Sequence, residues 1–163
     1  MSNFKDKDSL PCNVDFANYL MQEALKEAEE ANIHGDVPIG AVVAVNGEII
    51  ARAHNEIELK KDATCHAEVL AIQRASQVQS DWRLDDAILC VTVEPCPMCA
   101  GAIRQARVNT VIYGCMDPQR GALGSLFDLS LDPRLGSIPR VISGINSEEA
   151  ANLLQSFFKG KRL

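Results

Sequence analysis

The chain has 163 residues, 47% of them hydrophobic and 23% charged, a balance that suits one globular domain and leaves little room for disorder. No run approaches the roughly 18 uninterrupted apolar residues of a membrane span. The opening "MSNFKDKDSLPCN" lacks the apolar core of a secretory signal, so the expectation is a cytoplasmic protein. A net charge of -6 argues against a general nucleic-acid-coating protein, although the tail from Ala150 carries Lys159, Lys161 and Arg162 without an acid and offers phosphate a local attractive surface.

In chain order, residues 1–14 read as an N-terminal extension and residues 15–163 as a single domain. Apolar or small residues at Ala17, Leu20, Ala24, Ala28 and Ala31 recur at helical spacing, with Asp15 as the candidate N-cap. Asn46-Gly47, between two β-branched runs, predicts a type I′ hairpin. "CHAEVLAIQRASQ" reads as a helix begun after Thr64, and "DAILCVTVEP" as a strand buried on both faces. "CPMCAGAIRQAR" is then a helix, "NTVIYGC" a strand, "PRVISG" a short strand and "SEEAANLLQSFFKG" a closing helix. A hairpin followed by strand-helix alternation predicts an α/β fold, three-layered αβα, with a mixed five-stranded sheet and helices on both faces. The connection from Met116 to Ser137 exceeds the usual loop length and is a place to look for substrate contacts.

Six cysteines without an export signal point to metal binding or catalysis more than to disulfides, with Cys12, Cys90 and Cys115 as bystanders. Cys96 and Cys99 sit three apart where a helix begins, and the unpaired N–H groups there favour thiolate. A strand-CxxC-helix order alone fits a thiol redox site as well as a metal site. His66 also stands where a helix begins, and in an open α/β sheet such starts gather along one edge. One imidazole and two thiolates are three ligands of the softness zinc prefers, with a fourth tetrahedral position left for water. Cys65 adjoins His66, but neighbouring helical residues point about 100° apart, which disfavours joint binding of one ion. Glu68, two positions after His66, reaches the water if zinc lies off the helix end. Taken alone it would be a first-turn acid complementing the helix dipole.

The pattern H-x-E followed by P-C-x-x-C is the signature of zinc-dependent nucleobase deaminases. "CHAE", "VTVEPCPMCAGAI", "VPIGAVVA" and "GALGSLFDL" together resemble the bacterial tRNA-specific adenosine deaminase family within the cytidine/deoxycytidylate deaminase superfamily. The resemblance runs from about Asp15 to the C-terminus. It implies a cytidine-deaminase-like fold, a homodimer, and hydrolytic deamination of the wobble adenosine of a tRNA anticodon to inosine by a zinc-activated water. One Zn2+ per chain would be held by His66, Cys96 and Cys99, with Glu68 moving protons. The resemblance also implies that Asn55 contacts the target nucleoside, that Val37, Pro38 and Ile39 wall the base pocket, and that the backbone of Ala67 and Pro95 lies against it. Asp117 and the basic tail with Phe158 would face flanking nucleotides. The chain departs from the family pattern at Cys65, where many relatives carry Ala, and at Ile138-Pro139, near an Asn-His pair of those relatives.

Plainer roles stand beside these. Asn55 could end a strand, one of Phe157 and Phe158 packs inward, and Arg104 and Arg107 on an exposed helix face would be solvated charges. The alternatives in function are a zinc-dependent deaminase of a free nucleoside or base, such as cytidine, cytosine or guanine, and a CxxC thiol redox protein.

Overall fold

The computed structural model describes residues 13–161. The extension expected over residues 1–14 therefore lies outside the described residues as far as Cys12, and so does Arg162 of the basic tail. Helix α1 spans Val14–Ile33 and buries Ala17, Leu20, Met21, Ala24, Leu25, Ala28 and Ala31. Its N-cap is Asn13, not Asp15: the Asn13 side chain accepts the Phe16 N–H at 2.7 Å, and Asp15 sits in the first turn, where its charge meets the positive end of the helix. Strands β1 (Gly40–Val45) and β2 (Glu48–His54) form the hairpin. Asn46 at φ 52° and Gly47 at φ 81° both lie in the left-handed region that a type I′ turn demands. A short helix α2 (Ile57–Lys60), too brief to show a period, follows. Then come α3 (Ala67–Gln79), β3 (Ile88–Val93), α4 (Pro97–Gln105), β4 (Thr110–Cys115), β5 (Arg140–Ile142) and α5 (Ser147–Lys161).

The sheet order is β2-β1-β3-β4-β5, with β1 antiparallel to both β2 and β3 and with β3, β4 and β5 parallel. All six residues of β3 and all six of β4 are buried, as central strands covered on both faces require. One core joins α3 and α4 to the sheet through residues such as Leu70, Leu89, Ile103 and Val111; the other joins α1 and α5 through Leu20, Met21, Val42 and Ile112. The expected three layers are present. Each fully buried side chain of this size contributes roughly 1.5–3 kcal/mol. Gly40 lets α1 press onto β1, because a Cβ there would overlap the Ala24 carbonyl and the Ala28 amide. No helix among the described residues is long and apolar enough to cross a membrane.

This topology decides where the chemistry gathers. α3 leads into β3 and packs back along the sheet, so its first residues lie at the carboxyl edge of β3, where α4 begins. Because β1 runs against β3, its entry lies at that edge too, as do the exits of β2 and β4. Val37 to Ile39, Asn55, His66 to Glu68, Pro95 to Cys99 and Asp117 thus converge from five separate stretches.

Candidate active site

His66 is the N-cap of α3 and Cys96 the N-cap of α4, both in extended backbone and neither using its side chain to cap its helix. Caps are ordinarily Ser, Thr, Asp or Asn, and forgoing one costs about 1 kcal/mol. Here the two side chains turn toward each other. His66 Nδ1 lies 3.6 Å from Cys96 Sγ and 3.4 Å from Cys99 Sγ, and one donor atom from each residue falls within 4.8 Å of the others. Tetrahedral zinc with bonds of about 2.0 Å to nitrogen and 2.3 Å to sulfur holds such atoms about 3.6 Å apart, so the spacing fits that ion. Among the described residues this is the single group of three or more His, Cys, Asp or Glu that could hold a metal. Cys65 is buried and outside it. Its thiol is pushed up by burial and by Asp62.

The electrostatics are those of donors packed closely together beside a buried carboxyl. The hydrogen bond from Cys99 draws Cys96 down to about 4, with His66 assisting against the opposing effect of burial. Cys99 moves far upward, through that same hydrogen bond and through burial. Thiolate is the form in which sulfur binds a metal, so ligation would release protons from this pair. His66 is raised chiefly by its hydrogen bond with Cys96. Glu68, in the first turn of α3 and 4% exposed, is pushed up to about 7 by burial. Its Oε2 is buried without a hydrogen-bond partner. A buried carboxyl oxygen left without a partner beside three metal donors marks a candidate functional group.

Asn55 is 3% exposed and its Oδ1 accepts the Ala67 N–H at 2.9 Å. It satisfies from outside the helix the first of the free amides at the start of α3, and this bond leaves its NH2 as the remaining polar group. The Asn55 N–H in turn donates to the Ile39 carbonyl at 3.1 Å, tying the exit of β2 to the Val37-Pro38-Ile39 segment. Ala67 is fully buried, and Pro95 is buried with its carbonyl accepting the Ala122 N–H at 2.9 Å. Asp117 is half-buried and uses Oδ1 to accept the Gln119 and Arg120 N–H groups at 3.0 and 3.1 Å, which shapes a turn. Phe157 is buried and Phe158 is 47% exposed, the two rings meeting edge to face. Lys161 Nζ donates to the Gly35 carbonyl at 3.4 Å, bringing the end of α5 beside the stretch that leads to Val37.

Arg104 corrects the expectation of a solvated charge. It is 5% exposed and donates to the carbonyls of Leu129, Asp132 and Gly136, groups remote in sequence that its helical spacing could not announce. Arg107 is exposed and lies over the Trp82 ring. Glu94, unassigned from sequence, is 3% exposed and accepts three loop amides. An acid ending an otherwise apolar run was the one signal for it.

A model of the MafB19-like deaminase family matches residues 17–162. The tRNA-specific adenosine deaminase of Bacillus subtilis (strain 168) is 47% identical over 142 residues, 87% of this chain and 88% of that protein. A solved structure from a study of A-to-I editing by tRNA:A34 deaminases at the wobble position superimposes with a TM-score of 0.81 at 40% identity, covering 83% of this chain and 99% of that one. The guanine deaminase of Bacillus subtilis is similar over a smaller share, 60% of this chain and 63% of that one, with a TM-score of 0.58 and 41% identity. With its donor triad, its buried carboxyl and these likenesses along most of its length, the chain belongs to the MafB19-like deaminases and, among them, to the tRNA-specific adenosine deaminases.

Proposed function

We propose that this protein converts the wobble adenosine of a tRNA anticodon to inosine by hydrolytic deamination, in the cytoplasm. The observation that carries the reading is the orphaned Glu68 oxygen beside the His66, Cys96 and Cys99 donors. Those three would hold one Zn2+, since their types and spacing fit it. When bound, zinc supplies Lewis acidity that brings the pKa of water from about 15.7 towards about 7.

Glu68 does the proton work. Its carboxylate takes one proton from the attacking water as oxygen bonds to C6 of adenine and gives it to N1; it then takes the second proton from the oxygen now on C6 and delivers it to the amine, so that the C–N bond breaks, ammonia leaves and C6 keeps the oxygen as the carbonyl of inosine. Its burial, with one oxygen free of any hydrogen-bond partner, suits a group that must accept and donate protons in turn. The Asn55 NH2, fixed by the bond of its Oδ1 to Ala67, would orient the nucleoside, and Val37, Pro38 and Ile39 with the backbone of Ala67 and Pro95 would wall the base. Asp117, Phe158 and the basic end of α5 would meet flanking nucleotides. An anticodon loop is already single-stranded in large part, so splaying one base into the site costs less than it would in a duplex. The protein would work as a homodimer, a second copy covering the open apolar groove between α3 and α4 lined by Val69, Ile72, Trp82, Ala102 and Ala106.

Incubation with a tRNA carrying A at the wobble position, followed by sequencing for inosine, tests the reading. The guanine deaminase likeness favours one second reading, deamination of a free base. Ammonia release from guanine or free nucleosides, with the tRNA unmodified, would establish that reading in place of ours. Light scattering of the zinc-loaded protein tests the dimer, and a monomer mass would refute it.

A further inference from the structure

The connection from Met116 to Ser137 contains a short 3-10 turn, Pro133–Leu135, and an isolated β-bridge between Leu123 and Asp128, but no named strand or α-helix, and stretches of this kind are normally loosely held. Two buried side chains of opposite charge grip this one from beneath. Glu94, just past β3, accepts the Asp117 N–H on Oε2 at 3.0 Å and the Leu123 and Ser125 N–H groups on Oε1 at 3.3 and 3.0 Å. Arg104, on α4, donates from Nη1 to the Leu129 carbonyl at 2.8 Å and from Nη2 to those of Asp132 and Gly136 at 2.8 and 3.0 Å. The carboxylate takes the amides of the first half and the guanidinium the carbonyls of the second. Gly121 makes room for the grip, because a Cβ there would overlap the Glu94 carboxylate.

Burying an ion costs several kcal/mol unless its hydrogen bonds are made; both Glu94 oxygens and both Arg104 Nη atoms are engaged, although Arg104 Nε is buried without a partner, so the two groups define the loop's shape as well as its attachment. That shape borders the site. Ala122 N–H donates to the carbonyl of Pro95, the residue before Cys96. α4 itself carries Cys99 at one end and Arg104 at the other.

We propose that Glu94 and Arg104 are positioning residues that hold the β4–β5 connection as a preformed wall of the substrate site, an inference that rests on the deaminase reading above. Substrate then meets one loop arrangement and does not have to select it from many, so loosening the loop weakens apparent affinity by the fraction of time the loop is competent.

Gln at position 94 offers one acceptor oxygen where the carboxylate offers two, so it can hold the Asp117 amide or the Leu123 and Ser125 pair, never both. For Glu94→Gln and Arg104→Met, the KM for an anticodon stem-loop RNA with A at the wobble position should rise about tenfold, with kcat within about threefold. Bound zinc should stay at the native level. Arg104→Lys, which keeps donors but not the fork, should recover part of the loss. A role in folding alone would instead lower the active fraction, and with it kcat, at unchanged KM. Hydrogen exchange on the native zinc-loaded protein requires no variant: the amides of Asp117, Leu123 and Ser125 should be protected, and at least one should exchange ten times faster or more in Glu94→Gln. Exchange of all three in the native protein at the rate of open loop amides, or an unchanged KM in both variants, overturns the proposal. If the native protein fails to deaminate the RNA at all, the deaminase reading falls, and the exchange measurement alone decides whether the grip exists.

Discussion

The starts of α3 and α4 meet at Cys96 and the connection from β4 to β5 reaches Pro95 beside it, yet opposite means hold them. At the helix starts, His66 and Cys96 occupy cap positions and decline to cap, leaving side chains that turn toward each other in a cluster able to hold an ion. In the connection, the backbone is left over, and remote side chains come to satisfy it. The first region is short in sequence and carries its chemistry in residue type. The second owes its order to Glu94 and Arg104, whose partners lie 23 to 32 residues away. Substitution should therefore act on chemistry in the first region and on fit in the second.

The largest expected effect belongs to the helix starts. Cys96→Ala removes one of three donors, and the remaining imidazole and thiol should not retain the ion. Metal analysis of protein purified without chelator should find the native zinc lost, and turnover should fall by about a thousandfold or more, the value of several kcal/mol of transition-state stabilisation. Metal content equal to the native level would remove Cys96 from the ligand set. Glu68→Gln separates the proton function from the metal: zinc should remain while kcat drops by about 10²- to 10⁴-fold with little change in KM. Near-native turnover would assign the proton to another group.

A smaller effect is expected in the loop. Gly121→Ala forces a methyl against the Glu94 carboxylate and the Asp117 carbonyl, and overpacking of this kind typically costs about 1–3 kcal/mol. Urea melts should show the loss, and KM should rise with it. A variant as stable as the native protein, with native KM, would mean that the loop yields freely and that the contrast between the two regions is overstated.

The same contrast explains what could be read from the sequence. The hairpin at Asn46-Gly47, α1, β3, β4 and the His66, Cys96 and Cys99 set were legible because each rests on local periodicity, turn chemistry or residue type. α2 was not, since four residues carry no period. The cap of α1 was misplaced by two positions because Asn13 and Asp15 are both good caps, and only backbone geometry chooses between them. Arg104 looked solvated because its helix position gives no hint of three carbonyls arriving from across the chain. Glu94 stood in full view inside a recognised motif with no role attached.

The smallest effect is expected in the lead-in to His66. Glu56 is 7% exposed, and its N–H donates to the Cys65 carbonyl at 3.0 Å. Its carboxylate pairs with Lys60 at 2.6 Å and with Arg74 of α3 at 3.1 Å. Burial works against its ionisation, but the hydrogen bonds from Lys60 and Arg74 prevail and hold its pKa below 4.5. A lowered folded pKa contributes stability that is fully present above the unfolded value and is lost as pH falls through the folded one. Glu56→Gln should therefore cost about 1 kcal/mol near neutrality, because both partners are partly exposed. Titrating both proteins downward, the native one should lose its advantage below about pH 4.5. A gap between the two proteins that stays constant across that range would trace the cost to packing, and Glu56 would then brace the approach to His66 by shape rather than by charge.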